Sequence, residues 1–135
     1  MDEFAGIEKV NPKEREEQHL LNKALWKKLQ NEGFSEAHAG RVTGFFCSEQ
    51  IEQAGLIIKE YDAIPGWDTD VLKSDDDLMF YSEVTCSLSH FSVQLFNDLS
   101  DMFMISAKDA TSKFEGLEVD INTVINLKKP WWKFW

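Results

Sequence analysis

Few of the residue types that would commit this chain to a specialised chemistry are present. Cys47 and Cys86 are its two cysteines, too sparse for a disulfide scaffold and without metal-ligand spacing, so they read as reduced, partly buried thiols. Apolar runs extend over only a few residues, far short of the roughly 20 needed to cross a bilayer. The opening Met-Asp-Glu-Phe lacks the basic and apolar regions of a secretory signal, which predicts a cytoplasmic location. Cations are scarce too. Fourteen Lys and Arg face 24 Asp and Glu, a formal net charge of −10, and that field repels nucleic-acid phosphates. Gly40 and Gly44 stand alone with no Gly-Lys-Ser/Thr behind them, so no phosphate loop is expected. His19, His38 and His90 are far apart and none lies in a His-Glu-x-x-His pattern, so neither a metal nor another cofactor is expected. A Cys86–His90 pair near a helix start is a conceivable nucleophile, but it has no sequence signature.

What is abundant is material for a core. Ten Phe, five Trp and two Tyr in 135 residues, with 43% hydrophobic content, suffice for one compact domain. Residues 1–12 show no periodicity and read as a flexible leader, residues 13–127 as one α+β domain, and residues 128–135 as a basic aromatic tail.

Along the domain the apolar period alternates between helix and strand. Leu21, Leu25 and Leu29 recur every four residues and predict a helix from Lys13 to about Asn31, stopped by Gly33. Arg41–Cys47 is rich in β-branched and aromatic residues and predicts a strand. Ser48 can cap a second helix carrying Ile51, Ala54, Ile58 and Tyr61. Pro65 and Gly66 interrupt Asp62–Leu72, which suits an edge strand. In Leu78–Cys86, apolar Leu78, Phe80, Val84 and Cys86 alternate with Met79, Tyr81, Glu83 and Thr85, predicting a central strand. Ser89 can cap a third helix with Phe91, Leu95, Leu99, Met102 and Ser106 in one stripe, widened by Phe96 and Phe103. Lys113–Ile121 then alternates as a final strand.

After the first helix the order is strand, helix, strand, strand, helix, strand. That order predicts a ferredoxin-like α+β fold, an antiparallel sheet with two covering helices, preceded by an N-terminal helix. It further predicts Arg41–Cys47 beside and parallel to Leu78–Cys86, with Cys47 and Cys86 near one end of the sheet.

Two segments are candidates for contact with a partner. Asp68, Asp70, Asp75, Asp76 and Asp77 crowd carboxylates into a short stretch whose mutual repulsion favours solvent or a Lys- and Arg-rich surface. A calcium loop would need alternate ligands, a mid-loop Gly and a closing Glu in register, and none follows Asp68. The tail is Lys-Lys-Pro-Trp-Trp-Lys-Phe-Trp, and its Trp131, Trp132 and Trp135 carry a large apolar area. Such a tail folds back on its own domain or docks on a partner. A membrane-surface contact is a weaker match for so acidic a body.

The chain resembles the RraB family, the regulators of ribonuclease E activity B, over about residues 16–121. The likeness lies in Glu-Glu-Gln-His-Leu-Leu at Glu16–Leu21, Asn-Glu-Gly at Asn31–Gly33, Ser48-Glu49-Gln50, and Phe114-Glu115-Gly116-Leu117 in the last strand. In that last run the family carries an aromatic, an acid, a glycine and a tryptophan, and Leu117 departs from it. The resemblance implies a cytosolic, ferredoxin-like, non-catalytic regulator that binds a protein, by family likeness ribonuclease E or another basic protein. The basic tail departs from the long acidic tail of the named member. An immunity or antitoxin protein that neutralises a basic toxin is the alternative. Neither reading involves direct nucleic-acid or membrane binding, and both suit a monomer or weak homo-oligomer. No nucleophile, base and orienting group come together in the sequence, so an enzyme is not expected.

Overall fold

The computed structural model describes residues 6–35, 39–73 and 78–120. A 3-10 turn at Ile7–Lys9 precedes α1 (Pro12–Asn31), β1 (Gly40–Ser48), α2 (Ile51–Asp62), β2 (Trp67–Lys73), β3 (Phe80–Leu88), α3 (Val93–Asp109) and β4 (Lys113–Asp120). The four strands form one antiparallel sheet in the order β2-β3-β1-β4.

Helix starts follow local chemistry. Asn11 caps α1, its Oδ1 accepting from the amides of Lys13 at 2.8 Å and Glu14 at 3.3 Å, and Pro12 opens the helix where no amide donor is needed. Residues 6–10, expected within the leader, instead join the body: Val10 is buried and Lys9 pairs with Asp109 at 3.0 Å. Helix α2 starts at Gln50 rather than at Ser48, with Gln53 Oε1 accepting from the Glu49 and Gln50 amides at 3.2 Å. Ser48 remains the last strand residue and meets Ser112 at 2.7 Å. Ser92, not Ser89, caps α3, accepting from the Leu95 amide at 3.1 Å.

The expected parallel pairing of β1 with β3 does not form. Their register is antiparallel, Gly40 opposite Leu88 and Ser48 opposite Phe80. The crossover through α2 returns β2 parallel to β1, and the β2–β3 connection then reverses the chain. β3 enters between β1 and β2 and so runs against both. Cys86 therefore pairs with Val42 while Cys47 pairs with Tyr81, which puts the cysteines toward opposite ends of the sheet.

Helices α2 and α3 pack on one face of the sheet, and α1 packs on α3. Fully buried Val42, Phe46, Ile57, Tyr61, Val84, Phe91, Phe96 and Phe103 form the core. Burial of such side chains, about 1.5 to 3 kcal/mol each, dominates the stabilisation. Phe103 is the keystone: its ring meets those of Phe46, Tyr61, Trp67 and Phe114 at 5.6 to 5.9 Å. A Cβ on Gly44 would lie 2.7 Å from Phe103, so only glycine admits the ring this close to β1.

Helix α1 departs from its leucine period. Its buried face is Asn22, Trp26 and Leu29, while Leu21 stays 62% exposed. A polar seam holds it to α3. Asp101, buried in α3, accepts from Arg15 Nε at 3.0 Å and Nη2 at 2.9 Å, and lies 2.8 Å from His19 Nε2. Asn22 donates to Asn97 Oδ1 and Ser100 Oγ at 3.0 Å and accepts from Gln18 at 3.0 Å.

In β4 the register shifts opposite Phe45 and Phe46, which face Gly116 and Phe114, so Glu115 is the extra residue of a bulge. Gly116 takes φ 129, a conformation that L side chains rarely adopt. The bulge brings Phe114, as well as Leu117 and Val119, against the core. Strict alternation from Leu117 to Ile121 could not include Phe114.

Candidate protein-binding face

Even-numbered residues of β1 point to the helices, so Arg41, Thr43, Phe45 and Cys47 occupy the opposite face of the sheet. The strand registers line up its neighbours. Leu72, Tyr81, Cys47 and Lys113 form one cross-strand row, and Asp70, Glu83, Phe45 and Gly116 the next. Asp68, Thr85, Thr43 and Glu118 form the third, and Ser87, Arg41 and Asp120 the last. Helices α2 and α3 meet the strands from the other side, through the core.

Two zones result. Toward the β2–β3 turn is an apolar zone with Leu72 47% and Tyr81 38% exposed, beside half-buried Phe45 and Cys47. Toward the other end are the carboxylates of Asp68, Asp70, Glu83, Glu118 and Asp120, answered among the described residues of that face mainly by Arg41. Arg41 Nη2 reaches Asp68 Oδ2 at 3.1 Å. Both side chains are well exposed, so the pair contributes about 0 to 1 kcal/mol at most. Asp70 Oδ1 accepts from the Val71 amide at 2.9 Å, and a Thr43–Thr85 hydroxyl contact of 2.9 Å ties the centre together. Lys113 lies 3.7 Å from Glu115 at the β4 edge.

The predicted partner residues divide in three. Asp68 and Asp70 share the outer side of β2. Asp75, Asp76 and Asp77, with the β2–β3 turn, lie outside the described residues, as do Trp131, Trp132 and Trp135. Phe45, Leu72, Glu83, Glu118 and Asp120 were missed. The mixed side of β3, already visible in Tyr81, Glu83 and Thr85, was the one sequence signal for them.

The thiols are poor nucleophiles. Burial pushes the Cys86 thiol up to about 11. Cys47 is also raised, first by desolvation and then by the charge of Glu115. Cys86 faces the core from a strand, and α3 begins only at Val93, so the helix-start thiolate envisaged with His90 does not arise. The ring of His90 instead contacts Ser89 Oγ at 3.3 Å. His19 is no ordinary surface residue, since it belongs to the Asp101 seam. Among the described residues no group of three or more His, Cys, Asp and Glu side chains could hold a metal ion, and no helix is long and apolar enough to cross a membrane. No model of a known protein family matches the chain, and no curated protein matches it.

Proposed function

We propose that this chain is a non-catalytic, cytoplasmic protein-binding regulator that receives a basic partner on the open face of its sheet. The observation that carries this reading is the pairing of an exposed apolar zone, Leu72, Tyr81, Phe45 and Cys47, with a carboxylate field from Asp68 to Asp120. An apolar zone excludes water and supplies affinity, while an adjoining field of one sign steers a complementary surface and raises its association rate. Asp75, Asp76 and Asp77 follow β2 in sequence and add to the acidity of the chain.

The strand order and antiparallel pairing support the ferredoxin-like reading. By resemblance to the RraB family the partner is a ribonuclease of the ribonuclease E type. The Phe114–Leu117 run, where the likeness is most specific, forms the β4 bulge, so its residues answer a backbone demand of the fold.

The test is binding of purified ribonuclease E to the intact chain and to a triple variant, Asp68→Asn, Asp70→Asn and Glu83→Gln, followed by RNA cleavage at saturating regulator. Binding that weakens at least tenfold in the variant, with cleavage slowed by the intact chain, supports the reading. Equal binding by both proteins removes the face from it. Absence of binding removes the enzyme as partner, and capture of a basic toxin instead would favour an immunity protein.

A further inference from the structure

We propose that the groove between α1 and β4 is a seat for the chain's own residues 128–135, the Trp-rich basic segment that follows β4 in sequence. A cavity of about 500 Å³ opens between Leu21 of α1 and Met104 and Phe114 opposite. Past Gln18 and Leu21 it meets a second cavity of about 280 Å³ beside Leu25, Gly116 and Leu117. Together they form a trough along β4, which among the described residues is an edge strand beside β1.

Three observations point to an apolar, extended occupant. The first is uncovered apolar surface: Leu21 is largely exposed, and Phe114, Leu117 and Val119 are only half-buried, whereas the inward residues Val42, Phe46 and Val84 of the central strands are fully buried. The second is the edge itself, whose outward amides and carbonyls have no strand partner among the described residues and can pair with an added extended segment. The third is charge. Glu14 and Glu17 line the trough from α1 and Glu115 from β4, with Lys108 and Lys113 opposing them, and Lys113 is engaged by Glu115 at 3.7 Å. The acidic α1 side suits Lys128, Lys129 and Lys133 of the segment, and Trp131, Trp132 and Trp135 suit the apolar floor.

Chain length permits the contact. β4 ends at Asp120, and residues 121–127 span up to about 23 Å when extended, close to the length of an eight-residue strand. The connection can thus reverse and bring residues 128–135 back along β4. A tether of this length gives an effective concentration on the order of millimolar, so even a modest intrinsic affinity fills the site. This seat borders the open face at Lys113 and Gly116 and uses none of that face's carboxylates.

The experiment uses a labelled peptide of residues 128–135 and two forms of the full chain, unmodified and carrying Trp131→Ala, Trp132→Ala and Trp135→Ala. The peptide should bind the triple variant one to one and at least tenfold more tightly than the unmodified chain, whose seat is already filled. Adding Leu21→Glu to the triple variant should weaken the peptide at least tenfold. Leu21 is exposed, so the fold should survive, and Glu14→Lys with Glu17→Lys is a second variant with the same expectation. Equal affinity for both forms of the chain would overturn the proposal. So would binding that ignores the α1 variants, or that falls with Asp68→Asn and Asp70→Asn instead. A dimer in sedimentation that disappears with the three Trp substitutions would overturn it in favour of exchange between copies.

Discussion

Gly44→Ala is the sharpest single test of how this core is built. The new Cβ would sit 2.7 and 2.8 Å from two carbons of the Phe103 ring and 3.0 Å from a third. Ordinary carbon contacts begin near 3.5 Å, so the ring or the strand must move by roughly 0.7 Å. Phe103 is fully buried, with rings of Phe46, Tyr61, Trp67 and Phe114 around it at 5.6 to 5.9 Å, so it has no free direction in which to yield. Overpacking of this kind costs about 1 to 3 kcal/mol. Alanine recovers about 0.5 to 1 kcal/mol of that, because it loses less backbone entropy than glycine in a strand. A net loss centred on about 1 kcal/mol and reaching at most about 2.5 kcal/mol is expected, read as a lower urea midpoint at unchanged slope. Phe103→Leu should also destabilise, by leaving space over Gly44. The double variant should be more stable than the sum of the two predicts, with a coupling of about 1 kcal/mol or more, since the added methyl fills space the smaller side chain vacates. If Gly44→Ala left the midpoint unchanged, or if the two changes were additive, the close approach of α3 to β1 would not be the reason for glycine there.

Asp101→Ala removes the acceptor of both Arg15 bonds and the His19 contact from the α1–α3 seam, and should cost about 2 to 4 kcal/mol, with hydrogen exchange accelerated throughout α1. The cost stays below that of a fully buried pair because Arg15 and His19 are partly exposed and can regain water. Raising the pH should destabilise the fold from about pH 9. The neutral Cys86 thiol is favoured in the native state, so its contribution is complete below its ordinary value of 9.0 and is lost as the pH climbs through about 11. Tyr61, raised by burial, acts in the same direction, and Cys86→Ser should flatten the alkaline limb of a midpoint-against-pH curve. Neutralising Asp68, Asp70 and Glu83 should change stability by less than about 0.5 kcal/mol while slowing association with a basic partner roughly tenfold at low salt. Stopped-flow mixing over a salt series checks this, and an association rate indifferent to salt would argue against steering by this face.

Periodicity, residue composition and breakers together were enough for the three helices and four strands of the described residues and for their order, because one-sided burial writes a period of about four or of two into the chain. They were not enough for the 3-10 turn at Ile7–Lys9. The alternation from Phe80 to Cys86 and the stripe from Leu95 to Ser106 are of this kind, whereas Leu78 lies before β3 and stays exposed and Phe91 precedes the cap of α3. Charge density alone singled out Asp68 and Asp70. Element ends needed the folded chain: Ser48 and Ser89 carry good capping oxygens, but strand pairing holds Ser48, and β3 runs on to Leu88 opposite Gly40, so the caps fall to Gln50 and Ser92. The face of α1 was equally hidden, since Asn22 is buried by hydrogen bonds to Asn97 and Ser100 that no hydrophobic pattern records. Strand direction, the Glu115–Gly116 bulge and the grouping of Phe45, Leu72, Tyr81 and Glu83 arise only when registers across several strands are set. Those are long-range contacts, and a one-dimensional period carries the face of each residue without carrying its neighbour on the next strand.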